Sequence, residues 1–204
     1  MLHTLYANPH PHTPPHTTDD PVMGGQSHGN FSIVGNAGVF QGSVKNVSFL
    51  HAPGFCKFES EPLQITEDAA KYLAGGVQLK VRANVGYSGF KLAITAIGAS
   101  THHGGHEVYG SYKASFGLFP SDDFTIISLP FSKMSSDWSD FTGDCHTKDP
   151  DGYQHECCTP ATPKVCPSAA TLAKIVGFSI WAEGVEGDFH LEVESITAVG
   201  PAAF

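Results

Sequence analysis

DDPVMGGQSHGNFSIVGNAGVFQGSV, residues 19–44, decides the fold. Its glycines punctuate short runs of Val, Ile and Phe, a pattern of tight turns and strands that no helix period fits. Pro21 fixes its own φ ahead of Gly24-Gly25, which are free to take positive φ, and a strand leaves the loop near Asn30. An acidic corner, Asp19-Asp20, stands beside that flexible backbone.

The rest of the chain agrees with this reading. At 204 residues with 41% apolar composition, one well-buried domain is expected. Glycine (22), proline (14) and phenylalanine (14) are abundant and charged residues make up only 15%, which favours many short strands. A net charge of −9 with eleven Lys and Arg offers no basic stripe, which argues against nucleic acid and anionic membrane surfaces. No window reaches the roughly twenty apolar residues of a membrane span.

Residues 1–18 hold His3, His10, His12 and His16 among prolines and read as a flexible arm with no legible targeting signal. The domain is expected over 19–204. Strands are predicted at Val44–Leu50, Phe55–Ser60, Gly76–Ala83, Tyr87–Ile97, Val108–Leu118, Phe124–Pro130, Ile175–Ala182 and Asp188–Val199, with one helical turn at Ala69–Leu73. Strands at this spacing imply an all-β antiparallel sandwich or jelly roll. Between Ser132 and Ser168 the alternation stops, marking a polar, Pro- and Cys-rich insert.

Asp20-Pro21-Val22-Met23-Gly24-Gly25-Gln26-Ser27-His28-Gly29 followed by Phe40-Gln41-Gly42 resembles the opening of the complex I intermediate-associated protein 30 (CIA30) family. The motif positions are Asp20, Val22, Met23, Gly24, Gly25, Gly29, Phe40 and Gly42, and Gly187 to Ile196 is similar to the family's closing strand. Where the family carries an Asn-Gly-Gly-Phe turn, this chain has Ala52-Pro53-Gly54-Phe55. The resemblance implies a galactose-binding-type jelly roll without catalysis. It further implies protein partners among the subunits of a respiratory or photosynthetic membrane complex. The competing reading is a carbohydrate-binding module, because the same sandwich in other families presents a concave aromatic face to glycans.

Four of the five cysteines, Cys145, Cys157, Cys158 and Cys166, lie in the insert. Vicinal cysteines rarely bond to each other, so two of the three pairings remain and two disulfides are expected, with Cys56 free or displacing one member. An oxidising compartment follows: an organelle lumen, the intermembrane space or the exterior, against stroma or matrix as the alternative. Zinc held by these thiols with His146 and His155 is the rival, but the spacing lacks paired C-x2-C knuckles. No metal site is therefore assigned.

Other constellations weigh less. Gly25-Gln26-Ser27-His28-Gly29 matches G-x-S-x-G formally, yet that nucleophile elbow needs a strand before and a helix after it. His102, His103 and His106 read as a solvent loop, and Asp19, Asp20, Glu107 and Asp188 as scattered carboxylates that at most hold a structural calcium. Trp181 reads as core. Trp138 and Phe141 in the insert, with Tyr109 and Tyr112 on a sheet face, are the expected partner-binding rings.

Overall fold

A computed structural model of the chain describes residues 3–6, 16–20, 24–48, 50–60, 69–99 and 110–203. In chain order the strands are β1 (His3–Tyr6), β2 (His16–Asp19), β3 (His28–Val34), β4 (Ala37–Val44), β5 (Asn46–Val47), β6 (Ala52–Pro53) and β7 (Phe55–Glu59). They continue with β8 (Gly76–Arg82), β9 (Tyr87–Ala96), β10 (Gly110–Leu118), β11 (Thr125–Pro130), β12 (Ile175–Glu183) and β13 (Gly187–Val199). A single short α-helix among the described residues, α1 (Ala169–Leu172), is closed by a Ser168–Thr171 capping box.

The first sheet runs β11-β8-β13-β4-β3, with β1 also on β13, and the second runs β10-β9-β12-β7-β2. Every pairing is antiparallel. The two sheets face each other as an antiparallel β-sandwich, a jelly roll of the galactose-binding type.

Alternation along the strands decides which side chains meet between the sheets. In β13, Phe189, Leu191 and Val193 are buried while His190, Glu192 and Glu194 face outward. Phenylalanines join the layers: the ring centres of Phe31 and Phe40 in the first sheet lie 4.4 and 5.1 Å from that of Phe58 in the second, and Phe40 lies 4.7 Å from Phe189 within the first sheet. Phe40, Phe90, Leu79, Leu92, Ile180 and Leu191 are fully buried, each worth about 1.5–3 kcal/mol of transfer free energy.

Two segments depart from expectation. The N-terminal stretch is not wholly an arm, because His3–Tyr6 pairs with Ile196–Ala198, beyond the reach of β4, and His16–Asp19 forms the edge strand beside β7. Both fill open backbone positions at sheet margins. The predicted strand Val44–Leu50 is interrupted at Lys45, whose N–H donates to Ser27 Oγ (2.9 Å) and whose carbonyl accepts from Gly54 N–H (2.8 Å).

That interruption leads back to the opening motif. Asp20 is 2% exposed and lies where the chain crosses from β2 in the second sheet to β3 in the first. Its Oδ1 accepts the Ser27 N–H (2.8 Å) and its Oδ2 accepts the Ser27 hydroxyl (2.6 Å), while its carbonyl accepts from Gly25 N–H (3.1 Å). Gly24 takes φ 83°, as the loop requires. Gly25 serves by lacking a Cβ, which would stand 2.2 Å from Asp20 Cγ; one on Gly54 would stand 1.4 Å from Oδ2. Gly42 has the same kind of role, since a Cβ there would meet the His28 carbonyl at 2.1 Å. Gly29 donates to Asp19 Oδ2 (2.9 Å). Val22 and Met23 lie outside the described residues.

Gly25→Ala is expected to cost on the order of 2 kcal/mol, because displacing Asp20 leaves buried donors unmatched. Asp20→Ala should cost a similar amount, and the double variant well below their sum. Chemical denaturation measures all three; strictly additive losses would mean that Gly25 does not serve to make room for Asp20.

Candidate functional site

Outward positions of the second sheet carry charges: Lys91 between Phe90 and Leu92, Lys113 between Tyr112 and Ala114, and Glu183 at the end of β12. Strand alternation would leave them in water. Instead they are only 2%, 3% and 5% exposed, because the insert lies over this face. Ser135 pairs with Lys113 through two backbone hydrogen bonds (2.8 and 3.0 Å), which extends the sheet by one bridge.

From there Trp138 turns inward. Lys113 Nζ lies 3.6 Å from the Trp138 ring centre and 3.9 Å from that of Trp181, and it pairs with Glu183 Oε1 at 2.6 Å. A buried cation needs this compensation, since an isolated charge in an apolar layer is costly. Lys91 Nζ reaches Asp144 Oδ2 (3.1 Å), whose other oxygen accepts the Ser115 hydroxyl. A close backbone approach seals the margin: Gly143 and Gly184, at φ 70° and 72°, leave no room for a Cβ against Glu183 and Thr142.

The insert also holds itself together. Disulfides join Cys145 to Cys157 and Cys158 to Cys166, while Cys56 is free and buried in the core. Burial, with Asp19 beside it, pushes the Cys56 thiol far up and leaves it without thiolate character. Between Cys145 and Cys157 the chain forms a small hairpin, with Asp149 N–H donating to Tyr153 (2.8 Å), His155 N–H to Thr147 (3.1 Å), and a bridge between Lys148 and Gln154.

His155, 3% exposed, pins that hairpin to the sheet-side layer. Its Nδ1 lies 2.7 Å from Asp137 Oδ1 and its Nε2 2.8 Å from Asp149 Oδ2. Asp149 also accepts the Ser139 hydroxyl (2.5 Å). Two carboxylate acceptors on one ring call for two N–H donors, which is the imidazolium. Burial opposes that charge, but the hydrogen bonds to Asp149 and Asp137 outweigh it and raise the His155 pKa. Asp137 is likewise pushed up by burial, yet held below its ordinary value overall by His155 and the Glu156 N–H.

The outer face of the first sheet stays open. His28 and Asn30 of β3, Gln41 and Ser43 of β4 and Asp188 and His190 of β13 border a groove of about 510 Å³. Ser43 Oγ is buried there without a hydrogen-bond partner among the described residues. Apolar side chains are exposed as well: Phe119 is 89% exposed between β10 and β11, Ile126 within β11 is 51% exposed and Val85 is 38% exposed.

Two of the rings expected at the surface are therefore buried. Trp138 (7% exposed) roofs Lys113, and Tyr112 (4%) points between the sheets and donates its hydroxyl to Thr171 Oγ1 at 3.2 Å. Phe141 is half-buried, and Tyr109 lies outside the described residues. Trp181 is half-buried on the outward face of β12 and belongs to the layer under the insert. Ser27 is 0% exposed and committed to Asp20, and β3 follows it, so no nucleophile elbow exists.

Among the described residues, Asp19, Asp20 and Asp188 join no group of three close His, Cys, Asp or Glu donors; Glu107, His102, His103 and His106 lie outside the described residues. Among those residues, one donor group is close enough to hold an ion: Cys145, His146 and Cys157, with ligand atoms within 4.8 Å of one another. Sequence reading missed Lys91, Lys113 and Glu183, although charges flanked by buried apolar neighbours in regular strands were the signal for a covered face.

Architecture and site together define a jelly-roll domain whose second sheet is covered by the insert and whose first sheet borders an open groove. The chain belongs to the complex I intermediate-associated protein 30 (CIA30) family, whose model matches residues 5–145. That match ends at Cys145, so most of the insert's cysteines and the closing hairpin β12-β13 lie beyond it. A family 11 carbohydrate-binding module from Clostridium thermocellum, solved with a β-1,3-1,4-mixed-linked tetrasaccharide, is 13% identical, with a TM-score of 0.51 over 92% of this chain and 88% of that one. PfGH50B is 12% identical with a TM-score of 0.43, matching 88% of this chain but 23% of its own. No curated protein matches the chain significantly. Among the described residues, no helix is long and apolar enough to cross a membrane.

The His155 clasp has a definite pH sign. A folded-state pKa raised above the unfolded value near 6.5 contributes stability that is full below that value and lost as pH rises through the folded one. The melting-temperature gap between wild type and His155→Gln should therefore narrow from about pH 6 to about pH 9. A gap that is constant or widens with pH would contradict the imidazolium assignment.

Proposed function

We propose that the chain is a non-catalytic protein-binding module that acts in assembling or stabilising a respiratory or photosynthetic membrane complex. Membership of the CIA30 family supports the assembly role, and one observation supports the location of the interface: Phe119, 89% exposed at the foot of an edge strand. The insert closes the second sheet's face, so a partner reads the first sheet and its margin. There β11 offers an open backbone edge with Ile126 beside it, and Phe119 supplies a ring that a partner's pocket can bury. Such an anchor contributes about 2 kcal/mol or more. The two disulfides support an oxidising compartment.

A second reading rests on the groove of the first sheet. Asn30, Gln41, His28 and His190, with the unmatched Ser43 hydroxyl, present the mixed donors and acceptors that sugar hydroxyls require. Phe189 borders the groove but is 2% exposed and committed to the core, so it offers no stacking platform, which places this reading second.

Phe119→Asp with Ile126→Lys should leave the melting temperature nearly unchanged. It should lower co-purification with membrane-complex subunits at least tenfold, about 1.4 kcal/mol. Undiminished capture by the double variant puts the interface elsewhere. If no subunit is captured, and a glycan array instead shows binding that Gln41→Ala and His190→Ala abolish, the second reading replaces the first.

A further inference from the structure

The Cys145–Cys157 disulfide stands at one end of the insert with His146 against it: His146 Nδ1 lies 3.3 Å from Cys157 Sγ. Both cysteines are half-exposed and His146 is exposed, so solvent reaches all three. Among the described residues no such donor group includes the other disulfide, where Cys166 faces the carbonyls of Thr159 and Thr162. We propose that reduction of Cys145–Cys157 converts this corner into a binding site for a thiophilic divalent cation of the zinc class, with Cys145 Sγ, Cys157 Sγ and His146 Nδ1 as ligands.

The proposal turns on whether the two thiols stay together once the bond between them is broken. Several contacts hold their backbones without it. The 147–155 hairpin closes on itself through the Asp149–Tyr153 and His155–Thr147 hydrogen bonds. His155 anchors one arm to Asp137 and Asp149, and the Asp137 carboxylate also accepts the Glu156 N–H (2.9 Å), directly before Cys157. Ser135 donates to the Glu156 carbonyl (2.7 Å), and Asp144, directly before Cys145, is held by Lys91. The Cα atoms, 4.9 Å apart, are thus positioned from both sides by groups that reduction does not touch.

Dimensions and chemistry suit the ion. Two thiolates around one tetrahedral zinc lie about 3.8 Å apart, given Zn–S bonds near 2.3 Å. The donor atoms of this group already fall within 4.8 Å of each other, so side-chain rotation suffices. Three protein donors leave a fourth position for water or an external ligand. Zinc needs thiolates, and in the disulfide both sulfurs are spent on each other, so binding follows redox state. The sequence balances. An external dithiol gives two electrons and two protons and becomes a disulfide, Cys145 and Cys157 become thiols, and the cation displaces both thiol protons to solvent.

Cobalt(II) is the spectroscopic probe, added to the full chain after reduction and removal of the reductant. One cobalt per chain with a thiolate-to-metal charge-transfer band is expected in the reduced protein and none in the oxidised protein. Zinc should bleach the band. Cys145→Ser and Cys157→Ser should abolish it, His146→Ala should weaken binding at least tenfold, and Cys158→Ser with Cys166→Ser should retain it. Cobalt held by histidines near the N-terminus gives no such band and is thereby told apart. Alkylation of the reduced wild type, mapped by mass spectrometry, needs no variant: zinc should slow modification of Cys145 and Cys157 at least tenfold more than that of Cys158 and Cys166. No charge-transfer band in the reduced chain, a band that survives Cys145→Ser, or equal protection of all four thiols would overturn the proposal.

Discussion

A buried carboxylate at a crossing point governs this fold. Between Asp19 and His28 the chain leaves the second sheet and enters the first, and its described crossover residues, Asp20 and 24–27, belong to no strand ladder. Asp20 supplies the missing acceptors for Ser27 and Gly25, and Ser27 passes the constraint on to Lys45 at the end of β4. Both sheets are thus registered against one side chain. Leaving that carboxylate unpaired would cost more than its bonds contribute, which makes its glycine neighbours steric requirements. Gly25 of the family motif, with Gly54 opposite it, reads on this account as space cleared around an acid.

The insert extends the same logic to the opposite side. A sandwich has two outward faces, and in this one the second sheet's face carries Lys91, Lys113 and Glu183, which no apolar lid could cover. Two indole faces and paired carboxylates make that burial tolerable. Such pairs add little net stability over a hydrophobic substitute. What they supply is orientation: only one placement of the insert matches Trp138 and Asp144 to their lysines, and the disulfides reduce the entropy of the loop that must find it.

How far this was legible from sequence depends on range. The strands β8, β9, β11 and β13 follow from local alternation at Gly76–Arg82, Tyr87–Ala96, Thr125–Pro130 and Gly187–Val199, because period-two patterning is written within a few residues. The Asp20 motif was visible as a motif, but its physics was not: Gly54 packs against Asp20 34 positions away by subtraction of their numbers (54 − 20), and Lys45 bonds Ser27 18 positions away. Trp138 misled for a related reason. In a polar, aperiodic stretch its neighbours suggest exposure, whereas its environment comes from Lys113 and Trp181 on distant strands. The segments at His3 and His16 were lost because an edge strand needs no hydrophobic pattern, only an unpaired neighbour.

Covering one face decides what the other must do. A jelly roll free on both sides could place a ligand on either sheet, whereas here the insert leaves the first sheet, its edge strand β11 and the exposed turn at Phe119 as the uncovered surface. The family match stops at Cys145, within the insert, so the bracing cysteines that follow belong to a part of the chain beyond the matched region. A lid whose attachment rests on buried ion pairs and His155, and whose far corner carries an accessible disulfide beside His146, divides its labour. The buried contacts that hold the lid on the second sheet are not disulfides, so the covering of that sheet does not depend on the Cys145–Cys157 bond alone.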